Sequence, residues 1–200
     1  MPSQKSTQAV PPKRQRGRER VAAILDAAAQ LFVEQGQTVT MTEIAARSGT
    51  AIGSLYRFFP TREALIAVLL ERYAEHLRAA LTSLQARAPA LDPEALANDL
   101  LALATDLKLE RAAALALLDH TEDDGLRQQL RTEMHQGVAE ILTGAGIAPD
   151  AAPAVATAVI LVIKAAGTLA MQPDSAAALA ELHRMLRGYL AGRVAPLSSD

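Results

Sequence analysis

An all-α fold of about nine helices is the expectation for this chain, and three observations carry it. Apolar residues recur three and four positions apart, as in Ile24, Leu25, Ala28, Leu31 and Phe32, or Leu65, Leu69, Tyr73, Leu77 and Leu81. Prolines and glycines cut that pattern into helix-sized lengths, at Gly36, Gly49, Pro60, Pro89, Gly144, Pro149 and Pro173. The chain is rich in Ala and Leu, with aromatic residues at 3% and no Trp, which disfavours β-sheet. No stretch reads convincingly as a strand, and there is no internal repeat.

The elements follow in order. Residues 1–17 hold Pro2, Pro11, Pro12 and Gly17 among polar residues and are expected as a flexible basic arm. A first helix spans about 18–35 and ends at Gly36. Thr40-Met41-Thr42-Glu43 has a hydroxyl at the cap and a carboxylate three residues later, which starts a short helix over about 41–48. After Gly49 a third helix fits 51–59, and Pro60 stops it. Pro60 or Thr61 opens a long helix to about 88. Asp92-Pro93-Glu94 combines a cap, a first-position proline and a first-turn acid, and starts one or two helices reaching 119. Further helices are expected over 123–143, from Pro149-Asp150 to 171, and from Pro173-Asp174 to 193, with a loose tail over 196–200.

Composition bounds the function. Two hundred residues, half of them hydrophobic, make one or two domains with a packed core. The absence of Cys excludes disulfides, thiolate metal sites and a cysteine nucleophile. The longest apolar run, 154–163, ends at Lys164 and is about half the ~20 residues of a membrane span, so a buried helix is expected. The first twenty residues lack the apolar core of a signal peptide, and a cytoplasmic protein is expected. The net charge of −2 hides an asymmetry: eight basic and four acidic residues in 1–60 give +4, leaving −6 for the rest. A basic end on an acidic body suits a polyanion, although a solvated tail has the same composition.

Residues 40–59 carry the sharpest signal. Ala45 is small where two helices would cross, and Gly49, four residues later, supplies the positive φ of the turn between them. Ile44, Leu55, Phe58 and Phe59 supply apolar contacts. This is the spacing of a helix-turn-helix, although an ordinary helical corner shares it. The second helix is left with Thr50, Ile52, Gly53, Ser54, Tyr56 and Arg57 for an outer face that can lie in a major groove.

The stretch Gly49-Thr50-Ala51-Ile52-Gly53-Ser54-Leu55-Tyr56-Arg57-Phe58-Phe59-Pro60-Thr61-Arg62-Glu63-Ala64-Leu65 resembles the signature of the TetR family of bacterial transcriptional regulators. Ile24-Leu25-Asp26-Ala27-Ala28, Leu31-Phe32, Gly36 and Ile44-Ala45 agree with it. The resemblance covers about 18–70. It implies a homodimeric, ligand-responsive DNA-binding protein, usually a repressor, with a DNA-binding domain over 18–64 and a helical ligand-binding and dimerisation domain over 65–195. It also implies that Thr42, Ile52, Gly53 and Tyr56 approach base edges or adjoining backbone, and that Thr40, Ser54, Tyr56 and Arg62 hold phosphates. The chain departs from the family pattern at Ala51, where a capping Ser or Thr is common and Thr50 is the available substitute, and at Arg62, where Lys is usual.

The residue chemistry fits these roles. Tyr56 offers a hydroxyl on a rigid ring, and Arg62 stands in the first turn of the long helix, where backbone N–H groups favour an anion. Ile52 makes only apolar contact, with a thymine methyl or with the groove wall. Arg57 reaches either a guanine or a phosphate. Lys13, Arg14, Arg16 and Arg18 form either an arm along the backbone or a diffusely attracting tail.

In the remainder, Val155, Val159, Val162, Ile163, Ala166 and Gly167 on one helix and Leu182, Met185, Leu186 and Leu190 on the next are candidates for a four-helix dimer interface, the alternative being core within one chain. Leu103, Leu107, Leu115, Leu118, Met134, His135, Val138 and Leu142 are candidates to line a pocket. With few aromatics there, a lipophilic or acidic inducer fits better than a flat cation. His120 and His135, with Asp119 and Glu133, lack ligand spacing, so no metal and no cofactor are expected. No nucleotide-binding glycine loop or paired metal motif supports an enzyme. An activator of the same fold, or an architectural DNA-binding protein without a ligand, are the competing readings.

Overall fold

The computed structural model describes Ala9, residues 15–118 and residues 124–194. Lys5, Lys13, Arg14, Asp119, His120 and the 196–200 tail lie outside the described residues. Among the described residues there is no strand. The helices are α1 (Gln15–Gln35), α2 (Met41–Arg47), α3 (Ile52–Phe58), α4 (Arg62–Arg87), α5 (Pro93–Thr105), α6 (Lys108–Leu118), α7 (Asp124–Gly144), α8 (Ala152–Leu169) and α9 (Ala176–Ala191). Single 3₁₀ turns follow α1 and α4, over Gly36–Thr38 and Ala88–Ala90.

Two boundaries differ instructively from expectation. Helix α1 starts three residues before 18, so Arg16 and Arg18 stand on a helix and not on an arm. Side-chain pairs one turn apart support that first turn: Gln15 donates to Glu19 (3.0 Å), and Arg18 donates to Gln15 (2.7 Å). Helix α9 starts at Ala176, because Asp174 adopts a left-handed φ of 60° and keeps the preceding turn non-helical. The 92–119 stretch resolves into two helices, α5 and α6, broken at 106–107.

The chain packs as two units. The first holds α1–α3, α4 as far as Tyr73, and α6 from Leu109. Its core joins Ile24, Ala28 and Phe32 of α1 to Ile44, Leu55, Phe59 and Leu65, all nearly or fully buried. Arg72 draws three helices of this unit together. Its Nη1 donates to Asp26 Oδ1 of α1 at 2.8 Å, and its Nε lies 3.4 Å from Glu110 Oε1 of α6. Next to it, burial pushes the Tyr73 phenol above its ordinary value; nearby Arg111 opposes the shift and Glu110 adds to it.

The second unit holds the rest of α4, α5, α7, α8 and α9. Helix α8 is long and apolar enough, by composition alone, to cross a membrane. Here it buries Val155, Ala156, Val159, Ile160, Ile163 and Ala166, and it packs against α5, α7 and α9. Gly137 lets α7 come close to α4, since a Cβ there would meet Leu81 at 3.0 Å.

Candidate nucleic-acid interface

The first unit contains a helix-turn-helix whose geometry follows from its capping. Thr40 Oγ1 accepts from Glu43 N (3.2 Å), while Glu43 Oε2 accepts from Thr40 N (2.8 Å) and from Thr40 Oγ1 (2.7 Å). The Thr40 hydroxyl and backbone amide together hold the Glu43 carboxyl below the usual carboxylate value. The Thr40 hydroxyl proton, expected to face a phosphate, is therefore spent inside the capping box. Helix α2 then ends in a Schellman turn: Gly49 at φ +61°, Thr50 N donating to Ala45 O (2.9 Å) and Gly49 N to Ala46 O (3.2 Å). Arg47 clamps that end to α1 with two bonds to Glu34, at 2.9 and 3.1 Å. Its guanidinium lowers the Glu34 carboxyl, chiefly by hydrogen bonding.

Helix α3 presents two faces. Leu55 and Phe58 point into the unit and are buried, whereas Ile52 (41% exposed), Gly53, Tyr56 (48% exposed) and Arg57 lie one turn apart on the outside. Ser54 is half-buried at the margin, and Thr42 is exposed on α2. The Arg57 guanidinium stands 5.1 Å from the centroid of the Phe58 ring. Ala51 occupies the N-cap of α3 and no side chain caps it. Thr50 does not substitute: it is 9% exposed, and it bonds through its backbone N–H to Ala45.

Arg62 departs most from expectation. It opens α4 as the resemblance requires, but it is half-buried. Its Nε donates to Val39 O at 3.2 Å, and its guanidinium lies 5.3 Å from the Phe32 centroid. The side chain thus crosses to the α1–α2 connection as well as standing at a helix start. Thr61 caps α4, its Oγ1 accepting from Ala64 N at 3.1 Å. Cap, turn and apolar spacing were all readable from sequence. The inward turn of Arg62, the Arg47–Glu34 clamp and the Arg72 bridges join residues distant in the chain, and no local signal marks them.

In the second unit, most of the candidate dimer residues serve the chain's own core. Val155, Val159, Ile163, Ala166 and Gly167 of α8 and Leu186 and Leu190 of α9 are buried, because α8 packs against three neighbours and its apolar surface is used within the chain. Val162 and Leu182 are half-buried. The large apolar side chains left most exposed are Met185 at 64% and Leu161 at 63%, ahead of Met171 at 39%, and sequence reading missed Leu161.

The candidate pocket residues are scattered. Leu103, Val138 and Leu142 are core, Leu107 and Met134 are half-buried, Leu115 is 47% exposed in the other unit, and the Leu118 side chain lies outside the described residues. A groove of about 770 Å³ does exist in the second unit, bordered by α7, the start of α8 and Gln85 of α4. Only His135 among the candidates lines it. It is bordered mostly by polar side chains of α7, which a search for apolar stripes overlooks. Among the described residues no cluster of three or more His, Asp or Glu is placed to hold a metal.

Comparison with known proteins agrees with this geometry. Residues 24–69, from the middle of α1 into α4, match the sequence pattern of bacterial regulatory proteins, tetR family. The HTH-type transcriptional repressor Rv3405c of Mycobacterium tuberculosis is 38% identical over 129 residues, 63% of this chain and 59% of the relative, so the chain spans less than two thirds of that protein. The uncharacterized HTH-type transcriptional regulator Rv2250c of the same organism is 33% identical over 183 residues, 84% of this chain and 92% of the relative. In three dimensions, a transcriptional regulator from Aquifex aeolicus superposes with a TM-score of 0.63 at 21% identity, covering 86% of this chain and 97% of its own, which shows a shared fold. With a capped helix-turn-helix in place and a relative matched along nearly its whole length, the chain belongs to the tetR family of bacterial regulatory proteins.

Proposed function

We propose that this protein is a homodimeric, sequence-specific DNA-binding regulator of the cytoplasm, a repressor released from a near-palindromic operator by a small molecule. The observation that carries this is the outer face of α3. Ile52, Gly53, Tyr56 and Arg57 stand exposed together while Leu55 and Phe58 anchor the helix from behind. A seven-residue helix reads few bases, so a single head binds weakly. Two heads about 34 Å apart double the contacts and require a symmetric site. Exposed Leu161 and Met185 on α8 and α9 are apolar surface for the second copy.

Helix α4 belongs to both packing units and is the continuous element through which a ligand in the second unit acts on the first. A ligand that favours one spacing of the heads changes DNA affinity, and a coupling of about 1–3 kcal/mol corresponds to about 5–150-fold release. The test is selection of bound DNA from a random pool with the purified chain. Enrichment of a palindrome with half-sites one helical turn apart is expected; recovery of unrelated sequences rejects the proposal. A reporter on the recovered promoter separates repression from activation.

A further inference from the structure

We propose that the groove beside α7 binds a linear aliphatic carboxylate, with the carboxylate at Arg131 and His135. Its consequence for DNA, though not its chemistry, rests on the ligand-gated reading above. The groove volume, about 770 Å³, lies in the range of small-molecule sites. It follows one face of α7 from Gln128 to Thr143, a length of roughly 22 Å at 1.5 Å per residue.

The charges along it are uneven. Arg131 and His135 stand one helical turn apart on the groove face, and among the described residues neither has a hydrogen bond or ion pair. The acids nearest them on α7 are engaged elsewhere. Glu133 accepts from Arg78 Nε (3.0 Å) and Gln129 Nε2 (2.9 Å). Glu140, which also lines the groove, accepts from Gln85 Nε2 (3.2 Å) and Gln136 Nε2 (3.0 Å). One end therefore offers a guanidinium fork and an imidazole without a counter-anion, and the other carries a carboxylate that repels a second anion. That asymmetry sets the orientation of an anionic ligand.

The aliphatic part of the lining selects the rest of the molecule. Ala139, Pro149 and Pro153 contribute aliphatic surface to the groove, and proline has no N–H to donate. No Phe, Tyr or Trp side chain lines the groove, so a large flat ring gains little from stacking there. An alkyl chain gains from leaving water along this surface, and its charged head gains at Arg131.

The test titrates decanoate, below its micelle concentration, into the full chain by calorimetry, with methyl decanoate as the uncharged control. Decanoate is expected to saturate one site per chain. Affinity should fall at least tenfold in Arg131→Gln, whose side chain is exposed and leaves packing untouched, and at least tenfold for methyl decanoate. Ala139→Phe, which fills the groove, should abolish binding while circular dichroism shows retained helix. No saturable binding of decanoate, equal binding to Arg131→Gln, or equal binding of the ester would each overturn the proposal. Operator affinity is measured in parallel. Arg131-dependent decanoate binding with unchanged operator affinity supports the groove and rejects ligand gating; absent decanoate binding with intact operator recognition rejects the groove alone.

Discussion

Arg62 Nε donates to the carbonyl of Val39 across 23 positions of chain, so a cation at the start of α4 also fastens the connection that leads into α2. Removal of this side chain is expected to act on folding as well as on DNA. Arg62→Ala is expected to destabilise the chain by about 1.5–3 kcal/mol, the range for hydrogen bonds to charged groups, and to weaken DNA binding. Thermal unfolding checks the first effect; an unchanged transition midpoint would mean that the bond to Val39 contributes nothing.

Tyr56 offers the complementary case. It is 48% exposed on the outer face of α3, and its hydroxyl has no hydrogen-bond partner among the described residues. Tyr56→Phe should leave stability within about 0.5 kcal/mol, as for a surface change, yet weaken binding to all operators. Substitution of Ile52 should instead change which operators are preferred. Equal loss on every sequence for Ile52 variants would remove it from base reading.

The two glycines of this region should respond oppositely to alanine. Gly49 sits at φ +61° with open space where a Cβ would stand, so Gly49→Ala carries only the left-handed backbone cost, about 1–2 kcal/mol. Gly53 lies within α3, with no positive φ and nothing within 4 Å of a Cβ. Gly53→Ala should therefore raise stability by about 0.5–1 kcal/mol. If α3 enters a groove, the added methyl meets DNA, and operator affinity falls while stability rises. Denaturant titration and operator binding on the same samples decide it.

Acid should loosen the helix-turn-helix through Glu43 and Glu34. Both carboxyls lie below their ordinary value in the folded chain, Glu43 through Thr40 and Glu34 through Arg47. The unfolded chain then binds protons more readily. Their stabilisation is present above the ordinary value of 4.5 and is lost as pH falls through the lower folded values. Glu43→Gln keeps a capping-box residue but removes the titration. Its unfolding midpoint should vary less than that of the parent chain below about pH 4.5, and parallel curves would dismiss Glu43 as a contributor.

Leu161 and Met185 are the large apolar side chains most exposed on α8 and α9. Leu161→Glu combined with Met185→Glu should shift the protein from dimer to monomer in sedimentation and remove operator binding, with helicity retained. A double variant that still sediments as a dimer places the interface elsewhere.

Residue order alone determined where most helices begin and end, because caps and turns are local chemistry. The Thr40–Glu43 box, the left-handed Gly49 and the Asp92 cap that accepts from Ala95 N at 2.8 Å each need only residues within a few positions. The outward set on α3 was legible for the same reason, since periodicity divides a short helix into faces. Periodicity does not say what covers an apolar face. On α8 nearly every side is apolar, so only packing against α5, α7 and α9 decided that Val159 and Ile163 are core while Leu161 remains outside. The inward turn of Arg62, the bridges of Arg72 and the groove beside α7 were likewise settled by tertiary structure. Each depends on helices far apart in the chain meeting in space, and burial and pairing energies follow that proximity, not sequence separation.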